Sequence, residues 1–308
     1  MSLAAGLILA RFAHYLALTV LFGASLFPIY GLPTASQQPT LLAGSQRRLL
    51  ICAGILALVS GLAWLALTAA TMSGDPGDLT RPGAVWAVVT DVGFGRIWAA
   101  RLVCAAAIVA LTIASASAGW RGWPLAALSG GLLASIAFTG HGPEPEGGLG
   151  ELHIAADALH LLAAGAWLGG LIPLSRAMAA ARRARGEGAC GAAAAMLGRF
   201  SGMGYIAVGV LAASGLVNGW LLLGGLEPLI TTTYGRVLLA KLALFAVMIL
   251  AAAINRFWVT PALERATADD AETWLRRIRR HIVVEQVAGA GVLAAVALLG
   301  TLQPAALG

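Results

Sequence analysis

Charge is scarce in this chain of 308 residues: only 11% are Asp, Glu, Lys or Arg, whereas 59% are hydrophobic, and the mean hydropathy is +0.84. That composition excludes an ordinary water-soluble domain, in which about 25% of residues are charged. Cysteine is equally scarce. Cys52, Cys104 and Cys190 form no CxxC pair, which argues against a disulfide framework and against a thiolate zinc site, and leaves packing as their role. Walker A, GxSxG and HExxH motifs are missing, and no long polar stretch offers a soluble catalytic domain. ATP hydrolysis and ordinary hydrolase chemistry therefore have no support, and the chain reads as a non-enzyme.

What the sequence does have is long apolar runs. One crossing of about 30 Å of hydrocarbon needs roughly 20 apolar residues at 1.5 Å each. Eight stretches meet that requirement, at 3–30, 47–72, 96–117, 121–140, 151–174, 199–224, 234–256 and 281–302. The expected fold is all-α: a polytopic membrane protein of eight transmembrane helices forming one integral membrane domain over 1–308. A cleaved signal peptide is not expected, because the first stretch exceeds a signal core in length and carries Arg11 and His14 inside it.

The net charge of +6 does not point to nucleic acid, because the basic residues keep to particular loops. Loops 31–48, 118–122, 175–199 and 256–280 hold 14 of the 20 Lys and Arg residues; the opposite loops hold Arg81, Arg96 and Arg236, and Arg11, Arg101 and Lys241 fall within spans. The positive-inside rule puts the first set in the cytoplasm and both termini in the periplasm. "AETWLRRIRRH" at 271–281 reads as a basic segment at the inner lipid surface, with His281 solvated or facing lipid. Residues 73–95 are apolar but too short to span, and are expected to lie along the interface or over the external mouth.

The chain also repeats itself. "FGRIWAARL" at 94 matches "YGRVLLAKL" at 234, and "SGLAW" at 60 stands opposite "SGLVNGW" at 214. "GLLASIAFTG" at 131 resembles "GVLAAVALLG" at 291, and "HYLALTVLFGASLFP" at 14 resembles "HLLAAGAWLGGLIP" at 160 with one residue deleted. The order is the same in both halves, so a duplication into four-helix halves, 1–145 and 146–308, is expected. Spans 1 and 5 would start on the same side, giving parallel repeats about an axis along the membrane normal, with a site at their interface.

In this alignment His14 pairs with His160, and Arg11 with Asp157. Both histidines fall about 15 Å deep, near the midplane. Ionisable groups at that depth cost several kcal/mol unless paired or hydrated, and they usually face the bundle interior. His14 and His160 are therefore candidate ligands or proton relays, the alternative being hydrogen bonding between helices. His153, Asp157 and His160 share one stripe of a helix by their spacing of four and three residues. His153 and His141 are candidates for an outer capture site. Arg11 with Asp157 is read as a structural ion pair, with Asp157 as metal ligand the minority alternative. Met72 is the candidate soft-metal contact. Arg101 and Lys241 are expected to snorkel outward or to hold an anion.

With these residues in view the chain resembles the CopD family, the copper resistance D membrane proteins of bacteria. The resemblance runs through "RFAHYLALTVLFG", "LHLLAAGAWLGGLIPL", "RFSGMGYIAVGVLAASGLVNG", "TTTYGRVLLAKLALFAVMILAAAINR" and "VVEQVAGAGVLAAVALLGTLQP". It implies an eight-helix protein of the bacterial inner membrane that handles copper, Cu+ or Cu2+, and moves it from periplasm to cytoplasm. It also implies a separate periplasmic copper carrier of the CopC type as partner. On this reading His141 and His153 capture the ion and His14 and His160 pass it on. The competing reading makes His14 and His160 axial ligands of a b-type haem in an electron-transfer protein; another is a copper assembly or sensing factor without transport.

Overall fold

The computed structural model describes residues 2–32, 39–114, 122–139, 148–184, 187–266 and 268–304. Among them there is no strand, and eight helical spans are long and apolar enough to cross a bilayer. The α-helices of the described residues are α1 (Leu3–Tyr30), α2 (Pro39–Ser73), α3 (Pro82–Asp91), α4 (Gly93–Ala114), α5 (Gly122–Ala134) and α6 (Gly148–Ala164), then α7 (Gly170–Ala184), α8 (Glu187–Leu223), α9 (Pro228–Thr231), α10 (Thr233–Ile254), α11 (Thr260–Glu264) and α12 (Ala268–Leu299). With no water in hydrocarbon to satisfy the backbone, an apolar run of this length closes its own hydrogen bonds as a helix.

Polar and glycine residues set the ends. Ser2 Oγ accepts from the Ala5 N–H at 3.3 Å, and Thr232 Oγ1 accepts from the Gly235 N–H at 2.9 Å, capping α1 and α10. Gly74 and Gly224, with φ of 76° and 68°, terminate α2 and α8 in the left-handed region that glycine occupies without strain. Between them and the next spans, α3 and α9 are short helices beginning at Pro82 and Pro228. The expected interfacial segment 73–95 is thus a 3₁₀ turn, Pro76–Thr80, followed by α3.

Two spans contain a π-helical turn, Gly165–Gly169 between α6 and α7 and Asn255–Val259 between α10 and α11. Such turns leave the regular ladder locally and recur at functional sites.

Helix α1 packs against α2 and α5 on one side and against α7, α12 and the Gly165–Gly169 turn on the other. It bridges two apolar cores. Leu18, Leu21, Ile108 and Leu133 belong to the core of α1, α2, α4 and α5; Trp167, Leu171, Met178, Leu211, Met248 and Leu275 belong to that of α6–α12. Lipid offers no hydrophobic gain for bringing helices together, so close packing through small residues matters more. A Cβ at Gly23 would collide with the Gly169 backbone, and one at Gly169 with the Thr19 carbonyl, so backbones of α1 and the π turn touch.

Candidate functional site

Where α1 begins and α12 ends, a cavity of about 200 Å³ opens between the helices. Arg11, Trp64, His153, Asp157, His160 and Lys241 are among its lining residues. The α6 stripe anticipated from spacing is therefore present, with His153, Asp157 and His160 all turned to one space. Those three do not converge into a closed shell: among the described residues no group of three or more His, Cys, Asp or Glu lies close enough to hold a metal ion.

The histidines are held by serines. His160 Nδ1 lies 3.0 Å from Ser214 Oγ, and Ser214 donates its own hydrogen to the Val210 carbonyl at 2.6 Å. With that hydrogen used, the serine oxygen accepts from Nδ1–H, and the lone pair of the ring resides on Nε2. His14 is held in the same way. Its Nδ1 lies 3.1 Å from both Ser60 Oγ and the Ala57 carbonyl, while Ser60 donates to the Leu56 carbonyl at 2.6 Å. A carbonyl only accepts, so His14 also carries its proton on Nδ1. Its Nε2 is buried and has no hydrogen-bond partner among the described residues. Gly61 and Gly215 make room for the rings: a Cβ there would stand 3.3 Å from His14 Cε1 and 3.6 Å from His160 Cε1.

The surroundings of the two rings differ. Trp64 meets His14 edge-on and Trp98 lies tilted against it, with centroids 5.8 and 5.3 Å away, and Trp98 Nε1 donates to the Gly61 carbonyl at 2.8 Å. His14 is only 3% exposed and does not line the cavity; Trp64 does. His160, by contrast, opens on the cavity, with Asn218 and Leu238 beside it in the lining.

The cations are placed as follows. Arg11 donates to the Gly300 carbonyl and lies 5.0 Å over the Trp64 ring. Asp157 accepts from Asn218 Nδ2 at 3.3 Å. Arg101 does not snorkel: it is 4% exposed, with Nε on Ser135 Oγ at 2.8 Å, a second bond to the Ser135 carbonyl, and its guanidinium 4.7 Å over Trp98. Lys241 lines the cavity.

Other expected residues are not brought here. Met72 is 60% exposed at the end of α2 and lies outside the lining; His141 falls outside the described residues. The three cysteines are free. His281, expected in solvent or lipid, instead bonds through Nδ1 to Asn255 Oδ1 at 2.7 Å. Sequence reading passed over Ser60 and Ser214, although both stand in the repeated "SGL". It also passed over Glu285, an acid inside the last apolar run.

The chain is similar to known proteins along most of its length. The family described as "Copper resistance protein D-like, N-terminal domain" matches residues 1–151, and "Copper resistance protein D" matches residues 194–299. Copper resistance protein D of Pseudomonas syringae pv. tomato is 33% identical over 303 residues, covering 96% of each chain. Inner membrane protein YebZ of Escherichia coli (strain K12) is 33% identical over 296 residues, 96% of this chain and 97% of the relative. Copper transport protein CutJ of Bacillus subtilis (strain 168) is 31% identical over 254 residues, 78% of this chain and 44% of the relative. No solved structure matches the chain. Eight membrane-length helices, the two matched regions and relatives aligned end to end place this multi-pass membrane protein in the copper resistance protein D family.

Proposed function

We propose that this protein carries copper across the bacterial inner membrane, from the face where both termini lie to the basic face. The family names and the CutJ relative concern copper, and the YebZ relative is an inner membrane protein. The observation that carries the reading is the state of the two histidines. Each imidazole spends Nδ1–H on a serine and keeps a bare Nε2 lone pair, and in His14 that buried nitrogen has no partner among the described residues. Neutral imidazole with its other nitrogen fixed by a hydrogen bond is the form that ligates a metal, and it suits copper in either oxidation state.

Copper arriving at the cavity meets His153 and Asp157 first and His160 one turn deeper, and His141 is proposed on sequence alone as a further outer ligand. His14, behind Trp64, is the ligand of the first half. Arg11 and Lys241 set two positive charges against the single carboxylate of Asp157 in this lining. Their repulsion keeps an ion loosely held, as conduction requires. The matched serines, glycines and histidines support the parallel four-plus-four repeat, and the basic loops support periplasmic termini. A separate CopC-type carrier is the proposed donor, and Arg11 with Asp157 a proposed long-range charge pair across the cavity.

The test is copper content and optical absorption of the purified, detergent-solubilised protein beside His14→Ala and His160→Ala. Bound copper that falls in the variants, with no Soret band, is the expected result, followed by uptake into proteoliposomes. A Soret band lost with the same histidines would replace copper with haem; copper binding without uptake would leave an assembly or sensing role.

A further inference from the structure

A second cavity, of about 280 Å³, lies toward the basic ends of the helices, between α7, α8, α12 and the π turn Asn255–Val259. On α8 its lining runs from Leu197, at the end of the basic loop 175–199, to Val208, about 16 Å at 1.5 Å per residue. Glu285 of α12 lines it, 2% exposed and inside an apolar span. Two donors hold its carboxyl: Asn255 Nδ2 at 3.2 Å, and the indole N–H of Trp167. Asn255 belongs to one π turn and Trp167 to the other, so a single carboxyl ties both irregular turns together. His281, one turn earlier on α12, donates to Asn255 Oδ1 at 2.7 Å, which leaves the amide nitrogen to meet the carboxyl.

This lining does not suit copper. Among the described residues it offers no imidazole, thiolate or thioether, and Arg256 adds a positive charge. A proton fits it better. The ionised carboxyl has the two N–H donors. The protonated carboxyl has a hydroxyl to donate, and Thr260, 1% exposed in the same cavity, carries an Oγ1 with no hydrogen-bond partner among the described residues. Both charge states are thus provided for. No ion pair joins Glu285 to a cation among the described residues. The charged and titratable groups that face it are Arg256 of the π turn and Tyr205 of α8 in the lining and, beyond Asn255, His281 on its own helix; α7, α10 and α11 add none to the lining, and α1 contributes no residue to it. A carboxyl in hydrocarbon without a paired cation usually marks an ion or proton pathway.

The two cavities are close. On α8, Gly215 lines the first and Val208 the second, about 10 Å apart at 1.5 Å per residue. His160 stands seven residues before Trp167 on the one span, Gly148–Ala184, that carries both. A cation at His160 and a proton on Glu285 are like charges across a medium of low dielectric, so each weakens the hold on the other, and the effect is reciprocal.

We propose that Glu285 is a proton-binding site that exchanges with water at the basic face, and that copper in the first cavity and the proton on Glu285 displace one another. As copper enters, the carboxylic acid gives its proton to water in the second cavity; as copper leaves, the carboxylate takes one back. The exchange with copper rests on the reading of this protein as a copper carrier; the proton site does not.

The experiment labels the full chain in detergent with dicyclohexylcarbodiimide, which reacts with protonated carboxyls in apolar surroundings. Peptide mass spectrometry reads modification of Glu285 from about pH 5 to about pH 9, with and without Cu(I) under argon. Labelling of Glu285 should fall as the pH rises, and Cu(I) should slow it several-fold in the wild type but not in His160→Ala. In weakly buffered solution Cu(I) should also release protons from the wild type; Glu285→Gln should release fewer, and Glu285→Asp should restore the release. Labelling needs no change at Glu285, so it decides even where Glu285→Gln fails to fold.

Glu285 left unlabelled throughout, or labelled equally at every pH, overturns the proposal, because a carboxyl that only braces the two turns behaves so. Labelling that follows pH but ignores bound copper, or that copper slows equally in His160→Ala, overturns the exchange and leaves the proposed function standing. A wild type that binds no copper overturns the proposed function and the exchange with it, while labelling that falls with pH still upholds the proton site.

Discussion

Replacing Ser214 with Ala should weaken copper binding more than replacing Ser60 with Ala. In Ser214→Ala, the His160 Nδ1–H loses its acceptor at 3.0 Å, and among the described residues no second acceptor is within bonding distance. A buried donor left without a partner costs about 1–3 kcal/mol. The ring can recover that only by turning or by moving its proton to Nε2, which removes the lone pair presented to the cavity. Loss of a partner that orients a metal-binding histidine typically lowers affinity about 10–100-fold, or roughly 1.4–2.7 kcal/mol. In Ser60→Ala the His14 Nδ1–H keeps the Ala57 carbonyl at 3.1 Å, so the tautomer survives and the loss should stay below about threefold. Competition of each variant with a chromophoric Cu(I) chelator, under argon, measures the two affinities. Equal affinities in Ser214→Ala and wild type would refute the argument that the serine sets the tautomer.

Gly169→Ala drives a methyl into the Thr19 carbonyl, a backbone group that cannot move aside by changing rotamer, and should cost about 3 kcal/mol, seen as a lowered thermal midpoint in detergent. Diethyl pyrocarbonate should modify His160 through the open cavity well before His14 behind its tryptophans, and Trp98→Leu should narrow that difference; peptide mass spectrometry reads both rates. Near the water interface, the Ser73 hydroxyl and then Arg81 hold the Asp78 carboxyl below its ordinary range. Because that pKa is depressed in the fold, its contribution to the 3₁₀ turn Pro76–Thr80 is complete above about pH 4 and fades as the pH falls further. Hydrogen exchange at Asp78 and Arg81 should accelerate under acid, relative to its intrinsic rate, while the spans stay protected.

The spans were legible because hydrocarbon imposes one length on every crossing: the apolar run at 3–30 is the helix Leu3–Tyr30, and the run at 199–224 ends one residue beyond the span Cys190–Leu223. The stripe of His153, Asp157 and His160 was legible too, since it depends only on helical periodicity. Partners across helices were not. Nothing in "SGL" says that its serine hydrogen goes to the preceding turn, and that single choice sets which histidine nitrogen is bare. Nor does periodicity survive a π turn: Asn255 and Thr260 share the second cavity, although a regular helix would set them about 140° apart. His281 was misplaced for a related reason, because the basic run around it outweighed one asparagine on another helix.

The contact of Gly23 with Gly169 has a mechanical consequence. Where two backbones already touch, neither helix can advance, so relative motion that preserves the contact reduces to tilting about it. Gly23 stands 20 residues from Leu3 but only seven from Tyr30, giving lever arms of about 30 and 10 Å at 1.5 Å per residue. A tilt about such a fulcrum parts the helices at one face as it presses them together at the other, and the long arm belongs to the face where the chain begins.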